Sequence, residues 1–211
     1  MDIIIGGTIG LAQVVVGHPL DTVKTRIQNG RGYRHFGVRD YYRGCAYPAV
    51  ASVFFNALVF PIFERTSQKT GSPYVSGCLA GAIAAPVEYL FDVGKIRRQM
   101  AVRSAWHFNG MTTRMMRTTV ATSVYFGIYF DLKDTTGPFL AGAAAGLGNW
   151  TLTYPLDIIS SRQIAQKLTG RQAFKMGSLW AGYVPCAIRA VLVNGVSFKL
   201  YDVLDKKRVL F

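Results

Sequence analysis

Three stretches decide how this chain folds: GGTIGLAQVVVGHPLDTVKTRIQ at residues 6–28, GCLAGAIAAPVEYLFDVGKIRRQ at 77–99 and GAAAGLGNWTLTYPLDIISSRQI at 142–164. They align without gaps. Gly6/Gly10, Gly77/Gly81 and Gly142/Gly146 each form a G-x-x-x-G, a pattern that lets helices approach closely in a membrane. Thirteen residues after the first glycine come Pro19, Leu90 and Pro155, and two further on Asp21, Asp92 and Asp157. Then come Lys24, Lys95 and Ser160, followed by Arg26, Arg97 and Arg162, with Gln28 and Gln99 closing the first two copies. One G-x-x-x-G means little, but three in register with the same acid-then-base ending define an internal repeat.

Working outward, the second half of each unit repeats as well. Gly44, Gly110 and Gly182 open it, in YRG, FNG and WAG. Seven residues on stand Ala51, Arg117 and Arg189, and twenty residues on Glu64, Phe130 and Asp202. Each unit reads as a helix, a short basic connection and a second helix. The unit boundaries fall at 1–70, 71–137 and 138–211, within one integral domain.

The surroundings of the repeat place it in a bilayer. Residues 3–20, 44–63, 70–87 and 135–156 contain no Asp, Glu, Lys or Arg. A helix crossing the hydrocarbon core needs about 20 apolar residues. Shorter uncharged runs at 118–130 and 176–188 bring the expected spans to six, the last continuing past Arg189 as AVLVNGVSF. The first run begins at Ile3, so no cleavable presequence is expected ahead of it. A soluble bundle would need polar stripes at a 3.6-residue period, which these runs lack.

The 211 residues carry 24 Lys and Arg against 11 Asp and Glu, a net charge of +13, yet only 17% of residues are charged. The basic residues concentrate in segments 24–43, 95–117 and 160–180, where Asp40 is the one acid. The intervening segments 64–73 and 131–137 are balanced. Such an asymmetry orients a six-span protein with both termini on the less basic side. It accounts for the net charge without nucleic acid as a partner, since no zinc-finger spacing or aromatic-interleaved basic stripe is present. Cys45, Cys78 and Cys186 are too few and too scattered for a disulfide framework. His18, His35 and His107 lack metal spacing, and H-E-x-x-H, Walker and dinucleotide motifs are absent. The sequence therefore implies neither an enzyme nor a cofactor.

HPLDTVKTRIQ resembles the signature of the mitochondrial carrier family, P-x-[DE]-x-x-[KR] followed by a glutamine. YPLDIISSRQ resembles it with serine in the basic place, and LFDVGKIRRQ with leucine in the proline place; Pro86-Val87-Glu88 is a competing match that breaks the glycine spacing. The Tyr42-Arg43-Gly44 and Trp180-Ala181-Gly182 turns resemble the family's aromatic-basic-glycine element. The resemblance covers nearly the whole chain. It implies an all-α membrane protein with six transmembrane helices in three pseudo-symmetric pairs around a central cavity, in the mitochondrial inner membrane, with both termini toward the intermembrane space. It also implies a gate toward the matrix, in which Asp21, Asp92 and Asp157 meet bases from the neighbouring unit: Lys24 and Lys95, with Ser160 offering only a hydrogen bond. Gln28 and Gln99 would brace those pairs, and Pro19 and Pro155 would kink the helices toward each other.

On the opposite side the family has a second ring, of which Glu64, Lys133 and Asp202 remain, with Ser67 and Asp205 where bases belong. A strong matrix network and a weak outer one imply that the chain rests open to the intermembrane space. Substrate contacts carried over by position are Ala51/Ser52, Arg117/Thr118 and Arg189/Ala190, continued by Ala121, Tyr125, Val193 and Ser197. Val14, Ala85 and Trp150 face the same level from the odd helices. Arginine offers a fixed fork for a carboxylate or phosphate. Two arginines without a cavity acid point to an anionic or zwitterionic metabolite: a carboxylate, amino-acid-like compound or nucleotide. The alternative is a degenerate carrier that no longer transports and serves as a structural subunit of a larger inner-membrane complex. Short basic loops favour it, and they leave little room for elements that bind lipid such as cardiolipin. A transporter needs a polar cavity reaching Arg117 and Arg189; a scaffold fills that space.

Overall fold

The computed structural model describes residues 2–32, 37–101, 108–190 and 192–193. No strand occurs among them. In chain order the helices are α1 (Asp2–Gln28), α2 (Val38–Tyr41), α3 (Ala46–Thr70), α4 (Pro73–Gln99), α5 (Met111–Gln166) and α6 (Gly170–Lys175). A further helical stretch covers 183–190. Gly137 breaks α5 with φ 81° and ψ 160°, dividing it into arms at 111–136 and 138–166. The break falls at the boundary between the second and third sequence repeats. Gly71, left-handed at φ 64°, makes the corresponding turn between the first and second. Asp202 and Ser197 lie outside the described residues.

Three small clusters replace a single core. Val59 and Phe63 of α3 pack with Ala80 and Ala84 of α4 and Phe126 of the first α5 arm. Tyr89, Val93 and Ile96 of α4, with Met100 just beyond its end, meet Ile164 and Ala165 of the second arm. Tyr154 and Ile158 of that arm meet Cys186. Gly77 and Gly81 are what permit α4 to lie on the first arm, because a Cβ at Gly81 would fall within van der Waals range of Thr122 Oγ1 and 3.0 Å from the Thr118 carbonyl. Large apolar side chains face outward at Val53, Phe60, Ile83 and Leu152, each more than half exposed. An apolar exterior over a charged interior suits lipid as the surrounding medium. Two helices, within Val38–Thr70 and Pro73–Gln99, are long and apolar enough to cross a membrane.

The repeat in sequence is matched by repeated contacts. His18, Tyr89 and Tyr154 share one register position. The His18 ring (Nε2) lies 3.0 Å from the Arg43 carbonyl. The Tyr89 hydroxyl donates to the Asn109 carbonyl at 3.0 Å, and the Tyr154 hydroxyl to the Ala181 carbonyl at 3.1 Å. Each carbonyl belongs to the residue just before a repeat glycine, so each odd helix is tied to the opening of its own even helix. Those glycines have φ of 82°, 86° and 81° at Gly44, Gly110 and Gly182. A Cβ at each would lie 3.3 Å from the Lys95 carbonyl, 3.2 Å from the Ser160 carbonyl and 3.1 Å from the Lys24 carbonyl, respectively. These three carbonyls belong to one register position, one unit further round. Side chains thus hold each unit together, and the glycine backbone sets its approach to the next.

A left-handed φ costs a residue with a Cβ about 1–2 kcal/mol, and glycine escapes that cost. Gly110→Ala should therefore lower the thermal midpoint in detergent more than Gly71→Ala. Gly71 has the same sign of φ but no atom within 4 Å of an added Cβ. Equal midpoints for the two variants would show that the inter-unit contact carries no weight.

Candidate functional site

The ends of the repeated segments build one buried charged cluster. On α4, Glu88, Asp92 and Lys95 follow at intervals of four and three, which puts them on one helix face. On the first arm of α5, Arg114, Arg117/Thr118, Ala121 and Tyr125 do the same. Asp21 and Lys24 come from α1, Trp150 and Asp157 from the second arm, and Arg189 from the stretch 183–190.

The pairs cross between units. Lys95 Nζ lies 2.8 Å from Asp21 Oδ2, and Lys24 Nζ 2.7 Å from Asp157 Oδ2. Asp92 meets no base of the third unit among the described residues. It receives the Arg114 guanidinium through Nε at 2.5 Å and through Nη2. The same guanidinium reaches Asp157 Oδ1 from Nη1 at 2.7 Å. Ser160, at 0% exposure, leaves its hydroxyl without a hydrogen-bond partner. Gln28 donates to Asp157 Oδ2 at 3.0 Å, whereas Gln99 donates to the Thr22 hydroxyl at 3.1 Å and touches no carboxylate of the cluster. Pro19 and Pro155 both lie within helical residues, two positions before Asp21 and Asp157.

Arg117 and Arg189 are held more loosely. Arg117 Nη1 is 3.5 Å from Glu88 Oε1, its guanidinium lies 4.6 Å from the Trp150 ring centroid, and its buried Nε has no hydrogen-bond partner. Lys24 Nζ lies 4.2 Å from the same indole, so Trp150 stands against two cations. Arg189 Nε approaches Asp21 Oδ1 to 2.9 Å without the alignment of a hydrogen bond. Gly17 makes room for it, since a Cβ there would come within 3.0 Å of that nitrogen.

Three adjoining cavities open on these side chains. One of about 180 Å³ is lined by Asp21, Glu88, Lys95, Arg117, Trp150 and Arg189 among others. A second of about 470 Å³ includes Tyr125, Asn149, Trp150, Arg189, Ala190 and Val193. A third of about 270 Å³ includes Glu88, Arg117, Thr118, Ala121, Tyr125 and Asn149. Ala51 is half-buried and Ser52 exposed, its hydroxyl turned back to the Ala49 carbonyl at 2.9 Å; neither lines these cavities. Ala85 is fully buried in packing and Val14 is half-buried. At the other end, Glu64 lines an aromatic groove of about 580 Å³ with Phe60, Phe63, Tyr125, Tyr129 and Phe130. Lys133 lies 4.3 Å over Phe130, and no ion pair joins it to Glu64 among the described residues.

Two readings of the sequence are corrected here. Arg114 and Arg117 lie on the helix and are buried, at 7% exposure each, and are not part of a basic connection. The expectation of two arginines without a cavity acid fails on Glu88, which pairs with Arg117 and accepts from the Thr118 hydroxyl at 2.5 Å. Glu88 was legible as the residue one helical turn before Asp92 on the same face.

The family pattern described as "Mitochondrial carrier protein" matches residues 1–35. The chain is 29% identical to the "Mitochondrial basic amino acids transporter" of Bos taurus, over 92% of this chain and 81% of that protein. It is 25% identical to the "Mitochondrial arginine transporter BAC2" of Arabidopsis thaliana, over 96% and 89% respectively. With "Solute carrier family 25 member 45" of Mus musculus it shares 24% identity over 95% of both. The chain is similar to mitochondrial carrier proteins along nearly its whole length. The charged cluster is built from the ends of the repeated segments, and the cavities between them share Trp150, Arg117 and Arg189 with it.

Proposed function

We propose that the protein is a six-helix, three-repeat solute carrier of the mitochondrial inner membrane, with both termini toward the intermembrane space. Its cargo is an amino-acid-like zwitterion with a second cationic group, a basic amino acid. The observation that carries this reading is Glu88, a carboxylate shared between Arg117, Thr118 and two of the cavities. The cargo's carboxylate is taken by Arg189, whose guanidinium is close to Asp21 but not aligned with it. The cargo's side-chain cation is taken by Glu88, displacing an Arg117 contact that is already long at 3.5 Å. The names of the relatives, basic amino acids and arginine, favour the same class. A bare dicarboxylate or nucleotide would bring its charge against Glu88.

The Asp21, Asp92 and Asp157 pairs form the matrix-side gate in this reading. Glu64 and Lys133, which stand apart, leave the opposite side open. Cavities reaching both arginines favour transport over a purely structural role.

Purified protein in liposomes should take up labelled arginine or lysine saturably, and a labelled dicarboxylate or nucleotide far less. Arg189→Ala should cut basic amino acid uptake at least about tenfold, the worth of one charge-assisted contact. Preferred uptake of a dicarboxylate, or wild-type uptake no greater than empty liposomes, would reject the cargo assignment.

A further inference from the structure

We propose that Arg114 is the third base of the charged gate, doing from the second unit what Ser160 cannot do from the third. This rests on the gate reading above. Three observations lead to it. The base position of the repeat is filled in the first two units, by Lys24 and Lys95, and empty in the third, where Ser160 stands. The position four residues beyond the repeat glycine is Pro48 in the first unit, Cys186 in the third and Arg114 in the second. One cation is thus missing from the regular position and one is present at an irregular position.

The structure brings the irregular cation to the vacated seam. Gly110 packs against the Ser160 carbonyl and the Gln163 Cβ, which fixes the start of the first α5 arm beside the third unit. One turn further, Arg114 binds Asp92 within its own unit and Asp157 across the seam. The Ser160 hydroxyl is buried, reaches neither carboxylate and has no partner. Lys24, Lys95 and Arg114 then balance Asp21, Asp92 and Asp157 one for one. An ammonium is a single point of charge, whereas the guanidinium's planar fork can serve two carboxylates at once. This is why arginine fits the irregular place. The consequence is a lopsided gate: two seams are closed by a lysine each, one of them with Arg189 beside Asp21 as well, while the third hangs on the Arg114–Asp157 contact, because the Asp92 contact stays inside one unit. Arg114 is a positioning residue of the gate and touches no cargo.

The test compares wild type, Arg114→Ala, Arg114→Lys and the double variant Arg114→Ala/Ser160→Lys in detergent and in liposomes. Arg114→Ala should lower the thermal midpoint by about 10 °C, the effect of leaving Asp92 without a cation and taking from Asp157 one of its two. Arg114→Lys, which keeps the charge and folds, should fall between it and wild type. Ser160→Lys should recover most of the loss in the alanine background, because it restores the regular base opposite Asp92. Cysteine accessibility in the cavity, read without any cargo, should rise from the matrix side in Arg114→Ala and fall back in the double variant. A double variant no better than Arg114→Ala, or an Arg114→Lys variant equal to wild type in both readouts, would overturn the proposal. The midpoint and accessibility readouts do not involve cargo, so absent arginine uptake with an intact rescue would reject the cargo assignment and leave the role of Arg114 standing.

Discussion

Asp157→Asn is expected to be as destabilising as any single substitution in the charged cluster. Asp157 is 4% exposed and holds Lys24 at 2.7 Å, Arg114 at 2.7 Å and Gln28 at 3.0 Å. An amide there keeps the shape, discards the charge, removes the ion pair of buried Lys24 and leaves Arg114 with Asp92 alone. Removing one partner of a buried ion pair costs about 3–5 kcal/mol. For a chain of this size that is roughly 10 °C in thermal midpoint. Asp40→Asn is the matching control. Asp40 pairs with Arg43 at 3.3 Å, but their side chains are 33% and 52% exposed, and such surface pairs are worth about 1 kcal/mol or less. Thermal unfolding of both variants in the same detergent decides the matter. Similar midpoints would mean that the cluster contributes no more than a surface contact.

Glu88→Gln carries the second large effect, and it falls on transport more than on folding. Glutamine keeps the length and can still accept from the Thr118 hydroxyl, so the midpoint should move little. The lost charge is the one proposed to meet the cargo's side-chain cation. A hydrogen bond to a charged group is worth about 1.5–3 kcal/mol, so KM for arginine uptake should rise about 10- to 100-fold. An amino acid of the same shape with an uncharged urea in place of the guanidinium should show almost no change between wild type and variant. An unchanged KM for arginine would remove Glu88 from the cargo site.

What the sequence revealed, and what it hid, follows from periodicity. Gly44, Gly110 and Gly182 were found by spacing alone, and the structure gives all three the same left-handed backbone against equivalent carbonyls. Asp21, Asp92 and Asp157 share a register, so a contact between units could be anticipated for Lys24 and Lys95. The register of the second repeat, which places Leu90 in the proline position, is the one in which Tyr89 matches His18 and Tyr154 as the tie to the following glycine.

Arg114 and Glu88 escaped for the opposite reason. Neither recurs in the other units, so a search for repetition passes over both. Glu88 sits at the edge of an uncharged run, and Arg114 was counted with a connection because charge runs mark helix ends poorly. Ser52 shows the limit of carrying a role across by position: its hydroxyl turns back to its own helix, and the site is built by Arg117, Trp150 and Arg189 around it. Asymmetry within a repeated architecture becomes visible only when side chains are placed in space.

The glycine contacts bear on motion as well as on packing. At Gly44, Gly110 and Gly182 the backbone of one unit comes close to a carbonyl of the next because no Cβ stands on the glycine side. On the glycine side such a joint has no rotamer to rearrange and no charge to desolvate as it turns. Each seam therefore has a smooth bearing beside an electrostatic latch. If the charged pairs act as the proposed gate, adjoining units roll about the bearing when the latch parts, the peptide surfaces stay in touch, and a methyl group there would act as grit.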